Sequence, residues 1–231
     1  MRYVTRKRLI AALFCMTLAA NCPAFRASAA PSKSVSPPQS VDEVALQDPD
    51  EYAVLNALLA QTISGPDHKT FLIKEHTAIG GPAGDLHAYA FLSEGAYSDF
   101  HTKNEKSYIL DAKLTGIPAW TLLSKAAEDK LFPFANITSI TAETEKQIED
   151  SWKQFYRTYP GAHGILTFSR VGFNSDKSQA VVYMKYDGEG MNHYGEYFLL
   201  VRKGGSWELQ TKKTIWITHL NLDGSARFAN A

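Results

Sequence analysis

An arginine interrupts the apolar run GILTFSRVGF at residues 164–173. Period-two alternation places Arg170 on one face with Leu166 and Phe168, opposite Thr167, Ser169 and Val171. A guanidinium on a buried face must meet a carboxylate, carbonyls or a bound anion, because an unpaired buried charge is too costly to keep. Two roles are open to it: an anion clamp, or a structural ion pair with Asp99, Glu145 or Glu196, the simpler of the two. Gly172 weakens the strand and marks a bulge or a close backbone approach.

The other candidates are less patterned. His193, Tyr194 and Glu196 fall in DGEGMNHYGEY (187–197), which reads as a loop longer than its hairpin needs and so placed for binding; a solvated acidic hairpin end is the plainer alternative. His101 lies near Asp99. Arg170, His193, Tyr194, Glu196 and His101 form the candidate ligand-binding set, and no catalytic residue is assigned. The seven histidines form no H-E-x-x-H or His-x-His pattern, so no metal or other cofactor is expected. Glu75 and His76 adjoin on a strand and face opposite ways, so they make no dyad by themselves. No Gly-x-Ser-x-Gly elbow occurs, and GGPAG (80–84) lacks the Lys-Ser/Thr of a phosphate loop, which leaves it a hinge or turn.

The N-terminus sets the compartment. Arg2, Arg6, Lys7 and Arg8 precede an apolar run from Leu9 to Ala20, and Ala27-Ser28-Ala29 offers a cleavage site. A Sec-type signal peptide over 1–29, cut after Ala29, predicts a secreted or periplasmic bacterial protein with no integral membrane segment after cleavage. Both cysteines, Cys15 and Cys22, leave with it, so disulfides, thiolate nucleophiles and cysteine-ligated metals are excluded. Five basic residues leave too, so 19 basic residues face 24 acidic ones and the net charge becomes −5. That balance argues against nucleic acid as a partner.

The elements that must position these residues follow from caps and periodicity. Residues 30–47 are rich in Pro and Ser and read as a disordered leader; a single domain is expected over 48–220 and a tail over 221–231. Asp48-Pro49 opens a helix with Tyr52, Val54, Leu55, Leu58 and Leu59 at helical spacing. Residues 69–78 predict a strand, 85–104 a weak helix, 107–114 a partial strand, and Ser124 a cap for a short helix. Thr141 or Thr144 caps a helix carrying Ile148, Trp152, Phe155 and Tyr156, stopped by Pro160-Gly161. Strands at 164–173, 179–186, 195–203 and 206–217, joined by short turn-rich connectors, make an antiparallel meander. In the last of them Trp207, Leu209, Thr211, Lys213, Ile215 and Ile217 share the core face. The fold class is α+β, with amphipathic helices packed on one face of a curved C-terminal meander.

Residues 148–217, through FSRVGFN, QAVVYM and GGSWELQ, resemble a group of uncharacterised secreted bacterial proteins with a Ser-Arg-Val-Gly-Phe-Asn strand and a Gly-Gly-x-Trp hairpin. That resemblance implies no catalytic residues. The long helix, the meander and the Trp after a Gly-Gly turn are also similar to the NTF2-like or cystatin-like architecture, whose sheet faces a small-molecule pocket or a partner surface. Three functions are therefore expected in order: a non-catalytic secreted or periplasmic module binding a small molecule or a protein; a small-pocket NTF2-like enzyme doing acid–base chemistry with Arg170 and His101 or His193; an envelope-associated interaction or inhibitor protein docking through an edge strand.

Overall fold

The computed structural model describes residues 44–63, 70–81, 92–117, 119–134, 141–189, 192–220 and 226–230, the last stretch and 219–220 as backbone. The signal segment, most of the leader, His68, His87 and residues 82–84 of GGPAG lie outside the described residues. Helix α1 (Pro49–Thr62) starts where its cap predicts: the Asp48 carboxylate accepts the Asp50 N–H at 2.9 Å, and Pro49 opens the first turn. Strand β1 (Thr70–Lys74) follows, then α2 (Glu94–Lys103) capped by Ser93, β2 (Trp120–Leu123) and α3 (Lys125–Leu131) capped by Ser124. Helix α4 (Ala142–Thr158) begins in a reciprocal capping box between Thr141 and Thr144. Strands β3 (Ala162–Phe168), β4 (Gly172–Phe173), β5 (Gln179–Asp187), β6 (His193–Lys203), β7 (Ser206–Leu220) and β8 (Ala226–Asn230) complete the order.

One sheet takes all eight strands, in the order β2-β1-β3-β5-β6-β7-β8, with β4 paired to β5. From β3 to β8 the pairing is antiparallel, as the short connectors require; β1 pairs parallel to both β2 and β3, so the sheet is mixed. The α+β class stands, but the helices occupy both faces. Helix α1 buries Val54, Leu55, Leu58 and Leu59 against Leu166, Phe168, Val182, Phe198 and Leu200. Ile165, the neighbour of Leu166, points the other way and packs with Leu72 under Trp152 and Phe155 of α4 and Leu131 of α3. On that second face α2 sets Ala96 and Phe100 on Val181, Tyr183 and Tyr197. A strand buried on both sides carries no alternation to betray a second helical layer, which is why a single layer was expected.

Four further boundaries differ from the sequence reading. Residues 44–47 belong to the fold: Ala45 bridges Ile109, and Leu46 is buried and donates its N–H to Ile109 O at 2.7 Å. Residues 226–230 of the expected tail form an edge strand. The 107–114 stretch contributes only isolated bridges at Ile109, and the 164–173 strand is broken at 169–171. In β7 the expected alternation fails in the middle. Two bulges, opposite Leu199/Leu200 and Gly195/Glu196, reverse residues 211–214, so Lys212 and Thr214 share the α1 face with Glu196 while Thr211 and Lys213 face away.

Candidate functional site

Arg170 is a strut. Its Nη2 and Nε donate to Glu51 Oε1 and Oε2 at 2.5 and 3.3 Å, and its guanidinium stacks 4.1 Å from the Tyr108 ring centre. Glu51, fully buried in the first turn of α1, also accepts the Val171 N–H at 3.0 Å and lies 3.8 Å from Lys103 Nζ. The partner is therefore none of Asp99, Glu145 or Glu196. Around it, buried Asn104 accepts the Arg170 N–H at 2.7 Å and donates to the Arg170 and Phe100 carbonyls. Asp99 accepts the Phe173 N–H at 2.8 Å and pairs with Lys103. Gly172 serves the close approach its position implied: a side chain there would collide with Ala96 and Phe100 of α2. Residues 169–173 thus bind α1 and α2 to the sheet, with the polar groups of the break paired.

The other expected residues do not converge. His101 is exposed on α2, its ring against Tyr97 at 4.4 Å. Asp187 ends β5 and His193 begins β6, so His193, Tyr194 and Glu196 are strand residues and the connector is only 188–192, not the long binding loop expected over 187–197. Tyr194 stacks on Tyr186 on the α1 face, with ring centres 5.0 Å apart. Glu196, also on the α1 face, is buried and accepts from Lys212 Nζ at 3.0 Å and Thr214 Oγ1 at 2.8 Å, contacts that the bulges of β7 create. His193 lies on the opposite face, so an acid–base pair of Arg170 with His193 is not assembled.

On that opposite face, between the patch under α4 and the patch under α2, runs a polar stripe. Thr167 of β3 pairs across with Lys185 of β5, which pairs with Gly195; in the next row Ile165 pairs with Asp187, and Asp187 with His193. Lys74 is the next residue of β1 after the Ile73–Leu166 pair, beside Thr167. Asp187 Oδ1 takes both His193 Nδ1 at 2.8 Å and Lys185 Nζ at 3.0 Å. Burial raises the Asp187 carboxyl, but the hydrogen bond from His193 and the charges of Lys185 and Lys74 outweigh it and hold the group below the usual carboxylate range. Asp187 is therefore the acceptor of this pair, and His193 Nδ1 carries the shared proton, which leaves Nε2 as the outward-facing ring nitrogen. Lys74 pairs with Glu128 of α3 at 2.6 Å. Gly195 admits two aromatic side chains over the strand: a side chain there would strike the Tyr183 hydroxyl and the Trp216 indole, whose N–H donates to Tyr183 at 3.1 Å. Burial pushes the Tyr183 phenol up to about 12.

One atom in the stripe is anomalous. Thr167 is only 7% exposed, and its hydroxyl is the single buried side-chain polar atom among the described residues without a hydrogen-bond partner. Leaving such a group unmet costs roughly 1–3 kcal/mol, so folded proteins rarely retain one without a use. Comparison with protein-family models, curated proteins and solved structures returns no match. Among the described residues no three His, Cys, Asp or Glu side chains cluster at metal-binding range. The stripe's chemistry is thus read from its own groups: a hydroxyl, two ammoniums, and a carboxylate-anchored imidazole.

Sequence reasoning found His193 but not its setting. Taking 187–197 as loop hid the Asp187–His193 cross-strand pair, and Thr167 and Lys185 carried no signal beyond their alternation with Leu166, Phe168, Met184 and Tyr186. Glu51 did carry one. It occupies the same helical stripe as Leu55 and Leu58, and a charge on an apolar stripe needs an opposite charge on the face that it meets.

Proposed function

We propose that this chain is a secreted or periplasmic, non-catalytic binding protein that holds a small polar ligand on the stripe of Thr167, Lys185, Asp187, His193 and Lys74. The observation that carries the reading is the buried, unpartnered Thr167 hydroxyl flanked by charged groups on three strands. A pre-formed sheet holds these groups in register, which lowers the ordering cost of binding. The site is built from residues outside the Ser-Arg-Val-Gly-Phe-Asn segment, whose Arg170 serves the fold through Glu51. The meander with α1 laid across β6 and β7 is the part of the chain that fits an NTF2-like or cystatin-like plan; β1, β2, α3 and α4 are additions to it. Secretion rests on the signal sequence and is tested by N-terminal sequencing of exported protein, expected to begin at Ala30.

Ligand binding is tested by thermal-shift measurement against a chemically diverse panel of small polar solutes. At least one is expected to stabilise the wild-type protein and to do so less in Thr167→Val. A panel that shifts neither protein, or both equally, rejects the stripe. The Asp187–His193 pair favours a second reading, acid–base catalysis by His193 Nε2. Recovery of the bound solute unchanged after prolonged incubation decides for binding, and turnover abolished by His193→Gln decides for catalysis.

A further inference from the structure

Resting on that reading, we infer that the ligand presents an oxyanion, a carboxylate or phosphate group, to Thr167, Lys185 and Lys74. The argument is a count of donors and acceptors. Each ammonium has three N–H donors and no acceptor. Lys185 uses its contact with Asp187 Oδ1, and Lys74 its contact with Glu128. Two donors on each lysine and the Thr167 hydroxyl remain, all on adjacent strands of one face. The acceptors that face these donors are already in part engaged: Asp187 Oδ1 takes His193 and Lys185, and Glu128 Oε1 takes Lys74. Unused ammonium donors grouped beside an unpartnered hydroxyl are complementary to an acceptor-rich group. A sugar or a cationic amine, which brings donors of its own, fits it worse.

The surroundings fit a small anion. Side-chain exposure is 37% for Lys185 against 12% for Asp187, so the ammonium is the part of the site free to swing toward a ligand while the carboxylate stays in place. Thr167 sits behind it in the adjoining strand, where a directly paired residue lies about 5 Å away between Cβ atoms, within reach of two oxygens of one oxyanion. His193, anchored through Nδ1, supplies a further donor from Nε2 when protonated.

Isothermal titration of the purified protein with inorganic phosphate and with citrate, each against myo-inositol and against potassium chloride at matched ionic strength, tests this. Phosphate or citrate is expected to bind, with Kd raised about tenfold or more in Lys185→Met and in Thr167→Val and unchanged in His101→Ala, the loss of one charged hydrogen bond. Denaturation midpoints establish that each variant is folded, and Lys74→Met serves if Lys185→Met is not. Binding of myo-inositol that Thr167→Val weakens would leave the stripe as the binding site and overturn the oxyanion. Anion binding indifferent to Thr167→Val, Lys185→Met and Lys74→Met would overturn both readings. If neither anion binds above the chloride control, the oxyanion inference falls while the solute-panel result still judges the stripe.

Discussion

Two of the buried carboxylates, Glu51 and Asp187, are held in opposite ways. Glu51 is met by the Arg170 fork, by a backbone N–H and by the nearby Lys103 charge, and the surrounding Asn104 and Asp99 complete a set with its polar groups paired. Asp187 has both its contacts on a single oxygen, from a partly exposed lysine and a histidine with one nitrogen to spare, and a hydroxyl on the adjoining strand has no partner. Saturation marks the first as structure. Residual capacity marks the second as a place where something else can be received. The charge type alone, which drew attention to Arg170, does not separate the two; the pairing does.

Breaking the strut should have the largest effect. Arg170→Ala leaves a fully buried carboxylate without its fork and is expected to cost about 3–5 kcal/mol in urea denaturation, with no direct effect on the stripe. An unchanged midpoint would reverse the assignment of strut and site. Asp187→Asn comes next: it weakens the links to His193 and Lys185 and should cost about 1–3 kcal/mol, because a buried acceptor loses its charge. It also changes the acid limb. The folded carboxyl titrates below its unfolded value, near 3.9, so its stabilisation is complete well above that pH and is lost as pH falls through the depressed folded value. Wild type should therefore lose stability more steeply below about pH 4 than Asp187→Asn does, which pH-dependent melting measures.

Thr167→Val sharpens the comparison from the other side. Removing an unpartnered hydroxyl should leave stability unchanged or raise it by about 1 kcal/mol, while ligand affinity falls. A loss of more than that would mean the hydroxyl is bonded within the fold. His101→Ala, on an exposed helix face, should shift stability by no more than about 0.5 kcal/mol and binding not at all.

Local chemistry wrote the helices legibly. Asp48-Pro49, Ser124 and the Thr141–Thr144 box start α1, α3 and α4 where the sequence places them, and the turns at Ser175–Ser178 and Gly204-Gly205 join the strands that flank them. Features set by distant partners were not legible. Glu51 lies 119 residues from Arg170, so only its misplacement on an apolar stripe hints at the pairing. The parallel edge of β1 and β2 depends on a register between segments with no short connector. Thr167 looks like any strand threonine until its neighbours are counted.

The paired bulges of β7 have a consequence for how that strand can change. Each inserts one residue, and together they restore at Trp216 and Ile217 the parity they disturb between them. Deleting the extra residue at either one would make the strand regular there and leave the residues beyond it paired to β6 as before, so Ile217 keeps its helical layer and Glu196 keeps Lys212 and Thr214. The hydrophobic layers can therefore tolerate the loss of one residue from this strand at a bulge, where the extra residue has no partner, and not within its regular stretches.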